Sequence, residues 1–253
     1  MEKKLPTDQY LWIEEKNDDF PFYNNKPIHV SEKRWLAIIG FAFVGFLLLS
    51  FLYIPFIPPI FITIIATFCL PIFSLLGLKI FIGNYWHTLF RPLYLKDIVN
   101  ILLFTILSLI TSASLSGLAT LLTTMNNNPD SITDTGKRAV EFFWFSRIQD
   151  VVQLFGEEFL AILPFLFLLQ WFTQKRKLSR KQSIIYALIL SSILFGLLHL
   201  PTYNWNIWQC ILVIGLGRIV DSLAYIRTKN LWVSYLVHFL YDTLLFSLSF
   251  IGG

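Results

Sequence analysis

Seven long apolar runs, each near the length needed to cross a bilayer, constrain this chain more than any other feature of its sequence. The hydrocarbon core of a bilayer is about 30 Å thick and takes roughly 20 apolar residues in a helix. No water reaches the backbone there, so a lipid-facing segment must satisfy its own amides as a helix. The first run covers about 35–54. The second follows Pro55, Pro58 and Pro59 and ends near 82, with a kink expected at Pro71. The others cover about 97–122, 151–172, 183–200, 206–226 and 231–250. Only 14% of the 253 residues are charged, and they cluster between the runs. A soluble domain carries about a quarter. The fold class is therefore all-α, a polytopic bundle of about seven transmembrane helices.

Two units follow from the composition. Residues 1–34 are polar and read as a soluble amino-terminal arm, with aromatic contacts from Tyr10, Trp12, Phe20, Phe22 and Tyr23. Residues 35–253 form the membrane domain. No apolar stretch leads to a small-residue cleavage site in the arm, so the first span acts as an uncleaved signal-anchor. Residues 123–138 are rich in Asn, Asp, Ser and Thr and form a loop. Residues 139–153 mix aromatics with Glu141, Arg147 and Asp150, which reads as an interfacial helix with a solvated or headgroup-facing edge.

Lys and Arg in the short loops set the orientation. With the amino end inside, the inner segments carry Lys33, Arg34, Lys79, Arg91, Lys96, the run from Lys175 to Lys181, Arg227 and Lys229. The outer segments carry only Lys137, Arg138 and Arg147. The amino end is thus expected in the cytoplasm and the carboxyl end outside. Cys69 and Cys210 sit in different spans and suggest neither a disulfide framework nor metal spacing. No basic, aromatic-interleaved face suggests nucleic acid.

Few ionisable residues remain at membrane depth. They are Glu157 and Glu158 in the fourth run, His199 at the end of the fifth, Arg218 and Asp221 in the sixth, and His238 and Asp242 in the seventh. Charge in hydrocarbon is costly and marks a functional site by default. His238 and Asp242 are four apart and share a helix face, as do Phe195 and His199. Adjacent Glu157 and Glu158 point about 100° apart, so one at most aims squarely at a given point. Counting helical rise permits Glu157, His199, His238 and Asp242 to form a single cluster in the outer half of the membrane. Arg218 and Asp221, three apart, read as a mutually neutralising pair.

Two chemistries suit these residue types. Glu157, His199 and His238 can hold a divalent metal, zinc above all, with a fourth position open to water. Equally, a desolvated Glu paired with a histidine can activate water with no metal. His238 and Asp242 would then orient substrate or stabilise an oxyanion. Both routes predict hydrolysis, most simply of a peptide bond.

Three motifs carry a resemblance to a known family. Glu157-Glu158 begins a Glu-Glu-x-x-x-Arg pattern, Phe195 to His199 complete Phe-x-x-x-His, and His238 to Asp242 complete His-x-x-x-Asp. In that order they resemble the CPBP intramembrane proteases, which include CAAX proteases and the bacteriocin-processing Abi proteins. The likeness covers about 156–245, within a motif-bearing core of about 141–250. It implies an intramembrane endopeptidase of a bacterial plasma membrane, acting on a membrane-associated peptide or protein. It also implies Glu157 as the water-activating residue with His199, and His238 and Asp242 as metal ligands or oxyanion-side groups. Ile162 stands where the family has Arg. Arg218 is the best candidate to replace it.

Two other functions fit the same residues. A non-catalytic scaffold or bacteriocin-immunity protein would keep the fold and bind a membrane-protein partner, which the departure at Ile162 favours. An ion or proton carrier would use the same acidic residues.

Overall fold

The computed structural model describes residues 9–16, 18–128 and 136–252. Residues 1–8 and 17 of the amino-terminal arm, and positions 129–135 of the expected loop, lie outside the described residues. The described residues form seven α-helices and no strand. They are α1 (Glu32–Phe51), α2 (Pro59–Ile82), α3 (Leu95–Ala119), α4 (Lys137–Gln174), α5 (Arg180–Leu198), α6 (Leu216–Thr228) and α7 (Leu231–Gly252). A 3₁₀ segment, Gly83–Leu89, follows α2, and a π-helical turn, Gln209–Gly215, runs into α6. Seven helical segments are long and apolar enough to cross a membrane. The chain is a multi-pass membrane protein.

Local signals explain the ends. Pro59 occupies the first turn of α2, where its missing N–H is no loss. Ser179 and Gln182 form a reciprocal capping box that starts α5. Gly45 and Gly77 let α1 and α2 pack closely. A Cβ on Gly77 would lie 2.7 Å from Cβ of Phe41, and one on Gly45 would lie 2.9 Å from the Cys69 carbonyl. Cys69 and Cys210 are both unpaired thiols.

The fourth run differs from its expectation. α4 is one helix of 38 residues and passes through Pro164 without interruption. At about 1.5 Å per residue it outspans the hydrocarbon core. There is no separate interfacial helix. Glu141 is exposed as expected, 4.0 Å from Lys137. Arg147 and Asp150 are not a solvated edge: both are buried, and Arg147 Nη1 lies 2.9 Å from Asp150 Oδ2. The Arg147 guanidinium sits over the Phe246 ring at 4.2 Å. That helix face turns inward against the end of α7, where Phe143 stacks on Phe250 at 4.6 Å.

The amino-terminal segment is not a free soluble arm. Phe20, Phe22, Tyr23 and Val30 are buried in the same core cluster as α1, α4 and α5. Tyr10 is buried as well, whereas Trp12 is 91% exposed. Buried Gln170 of α4 ties the segment to α1, accepting from Trp35 Nε1 at 2.7 Å and donating to the Val30 carbonyl at 2.8 Å. Buried Glu14 is held by Arg180 through both oxygens, at 2.8 and 2.6 Å, and lies 3.0 Å from Lys229 Nζ. Burial alone would raise the Glu14 pKa, but the two cations outweigh it and hold the carboxyl below its ordinary value. Burial also pulls Lys229 below the usual lysine value, with Glu14 opposing the shift. The aromatic contacts expected of the segment are thus made by Tyr10, Phe20, Phe22 and Tyr23 but not by Trp12.

Candidate active site

Four helix segments bring the motif residues together around one cavity of about 770 Å³. Its lining includes Glu157, His199, Arg218, Asp221, His238 and Asp242, but not Glu158. The sequence left open which glutamate faces the site. Glu157 does, and Glu158 turns away into the packing between α4, α6 and α7, fully buried.

Glu157 is held on one side only. Gln153, one turn earlier on α4, donates from Nε2 to Oε1 at 2.9 Å. The other oxygen, Oε2, lies 3.9 Å from Nε2 of His199. That is too long for a hydrogen bond and a suitable gap for a bridging water. His199 is the C-cap of α5. Its Nδ1 is 3.0 Å from the Phe195 carbonyl, which can only accept, so Nδ1 carries the proton. Nε2 is then a lone pair aimed at Glu157.

Gly196 sets the position of His199. α5 crosses the π-helical turn so closely that a Cβ on Gly196 would stand 2.3 Å from the Cys210 carbonyl. The Phe195 ring packs against three site groups. It lies 4.8 Å from the His199 ring, 6.3 Å from the His238 ring and 4.8 Å from the Arg218 guanidinium.

Glu158 has its lone pairs filled. Arg218 Nη2 donates to Oε2 at 2.7 Å, and Ser234 Oγ donates to the same oxygen at 2.6 Å. His238 Nδ1 lies 3.0 Å from Oε1 and also 3.0 Å from Arg218 Nη1. The carboxylate can only accept and the guanidinium can only donate, so Nδ1 donates to Glu158 when protonated and accepts from Arg218 when not. On its other edge His238 Nε2 stands 3.6 Å from Asp242 Oδ2. Asp221 accepts from Ser108 at 2.8 Å and is 3.9 Å from Arg218. The expected Arg218–Asp221 pair is therefore the lesser contact; Arg218 belongs first to Glu158. Ile162, where the motif has Arg, is fully buried in the apolar core.

Three site residues escaped the sequence reading: Gln153, Ser234 and Ser108. Helical spacing held a signal for two. Gln153 precedes Glu157 by four, and Ser234 precedes His238 by four.

Glu157, His199 and His238 are the residues expected to hold a divalent metal. Among the described residues no three His, Cys, Asp or Glu side chains are grouped to hold a metal ion. His238 Nδ1 is taken up by Glu158, which leaves Nε2 as the ring's cavity-side nitrogen, and the guanidinium 3.0 Å from Nδ1 weakens the site's attraction for a cation.

The fold and site define a polytopic helical membrane protein with a buried glutamate–histidine centre at a polar cavity. Residues 139–244 match the family model described as type II CAAX prenyl endopeptidase Rce1-like. Over that stretch the chain is similar to the Rce1-like members of the CPBP family, a family of proteases. The match takes in every motif residue. No curated protein and no solved structure is a match to this chain.

Proposed function

We propose that the protein is an intramembrane endopeptidase that hydrolyses peptide bonds of a membrane-associated peptide or protein. The observation that carries the reading is the 3.9 Å separation of Glu157 Oε2 from His199 Nε2 on the cavity wall, inside an Rce1-like domain. A water between them gives one hydrogen bond to each acceptor. Glu157 takes a proton as the water oxygen attacks the substrate carbonyl, and His199 orients it. Glu157 then returns the proton to the leaving amine as the C–N bond breaks. His238 faces the oxyanion side. Its Nε2 is 3.6 Å from Asp242, too far for a hydrogen bond, and in the imidazolium or the Nε2–H tautomer that N–H is open to the developing charge.

Nothing in this sequence of steps requires a metal, and the donor geometry favours the metal-free route. The basic residues of the amino-terminal end support a cytoplasmic placement of that end. The test is cleavage of candidate membrane peptides by the purified protein. Glu157→Ala and His199→Ala should each lower the rate by about 10²–10⁴-fold. Cleavage untouched by either change removes the reading. Full complementation of a deletion by the double variant would favour a scaffold instead.

A further inference from the structure

Gln209 is buried, yet its side chain serves the main chain of a connecting segment. Its Oε1 accepts from the Asn126 N–H at 2.8 Å, and its Nε2 donates to the Asn126 carbonyl at 2.9 Å. One primary amide thus meets both main-chain groups of one residue, as a neighbouring strand residue would. Asn206, one turn earlier, donates from Nδ2 to the Thr124 carbonyl at 2.8 Å. In return Asn126 Nδ2 donates to the Tyr203 carbonyl at 3.0 Å. The linker between α3 and α4 is therefore held over the cavity by groups that read backbone, and backbone pairing is nearly blind to side-chain identity.

The location gives this pairing its meaning. Gln209 and Tyr203 line the same cavity as Glu157 and His199, and the stretch that bears them starts at His199 itself. An endopeptidase must hold its substrate extended beside the water-activating pair, because a helix hides its carbonyls in its own hydrogen bonds. A buried amide on the wall of the same cavity, with its donor and acceptor both turned to the main chain of one residue, has the chemistry for this task.

Resting on the endopeptidase reading, we propose that Asn206 and Gln209 form a main-chain recognition subsite for an extended stretch of peptide substrate. Linker residues 124–126 occupy it as an internal placeholder that the substrate displaces. The ligand class is an unfolded segment of polypeptide, chosen by conformation rather than by sequence. Gln209 is a positioning residue and the linker is its resting occupant.

The two halves of the pairing can be removed separately. Asn126→Pro deletes the linker's N–H and leaves the subsite intact. Gln209→Leu deletes the subsite. The probe is a quenched-fluorescent peptide joining an apolar helix of about 20 residues to a flexible Gly-Ser-rich stretch. Asn126→Pro should lower KM with kcat unchanged, while Gln209→Leu should raise KM roughly ten-fold. A purely structural tie predicts that both variants move KM the same way or not at all, and that result overturns the proposal. Hydrogen exchange on the wild-type protein supplies a readout independent of turnover. Adding the peptide should speed exchange of the Asn126 amide; an unchanged or slower rate overturns the proposal. Absence of cleavage with faster exchange would instead defeat the endopeptidase reading alone.

Discussion

Arg218 on α6 donates to Glu158 on α4 at 2.7 Å, across 60 residues of chain, with both side chains sealed from solvent. The motif arginine absent at Ile162 is thus matched by a guanidinium arriving from another helix. A buried ion pair adds little net stability, but removing one partner strands the other, at about 3–5 kcal/mol. Arg218→Met should therefore destabilise the protein by that amount in detergent unfolding experiments. The double change Glu158→Gln/Arg218→Met should recover most of it, because no charge is left unpaired. Cleavage should stay low in the double variant, since His238 loses the carboxylate that fixes its Nδ1.

Chelation tests the metal-free route. Extended dialysis against EDTA or phenanthroline should leave the rate of peptide cleavage unchanged, and elemental analysis should find no stoichiometric zinc. The reason is local. A guanidinium stands 3.0 Å from His238 Nδ1, and its positive charge opposes a cation at the same ring's Nε2. Activity lost on chelation and restored by zinc would instead assign Nε2 of His238 to a metal beside Glu157 and His199.

How far the sequence could be read depended on the range of each interaction. The spans were legible because the bilayer dictates their length and polarity. The His238–Asp242 and Phe195–His199 pairs were legible because helical spacing fixes them. Which glutamate faced the cavity was not, since two residues about 100° apart are told apart only by what packs beside them. Ser234 and Arg218 reach Glu158 over 76 and 60 residues, and no local pattern encodes such partners. The burial of Arg147 and Asp150 went unread for a related reason. Their mixed surroundings suit an interface until α7 is seen to cover them.

Gly196 offers a test of how closely the site is held. An added methyl would meet the Cys210 carbonyl at 2.3 Å, and backbone cannot yield as a side-chain tip does. Gly196→Ala should force α5 from the π-helical turn and displace His199 from Glu157. We expect about 1–3 kcal/mol of destabilisation and a fall in kcat larger than any rise in KM. Gly217, where an added Cβ meets nothing within 4 Å, is the control. Gly217→Ala should leave both parameters near those of the wild type.

Glu14 makes stability depend on pH in a definite direction. Its carboxyl is buried between Arg180 and Lys229, whose attraction outweighs burial and keeps its pKa below the ordinary value of 4.5. In the unfolded chain it takes up a proton at that ordinary value. Between the two, the unfolded state binds more protons, so stability falls as the solution is acidified. The contribution is complete above the ordinary value and disappears as pH drops through the folded one. Thermal unfolding in detergent should thus show a melting temperature that drops steeply below about pH 4.5. Glu14→Gln should melt lower at neutral pH and show a shallower acid limb, because Arg180 and Lys229 then lack their shared anion at every pH. An acid limb as steep in Glu14→Gln as in the wild type would place the responsible carboxylate elsewhere.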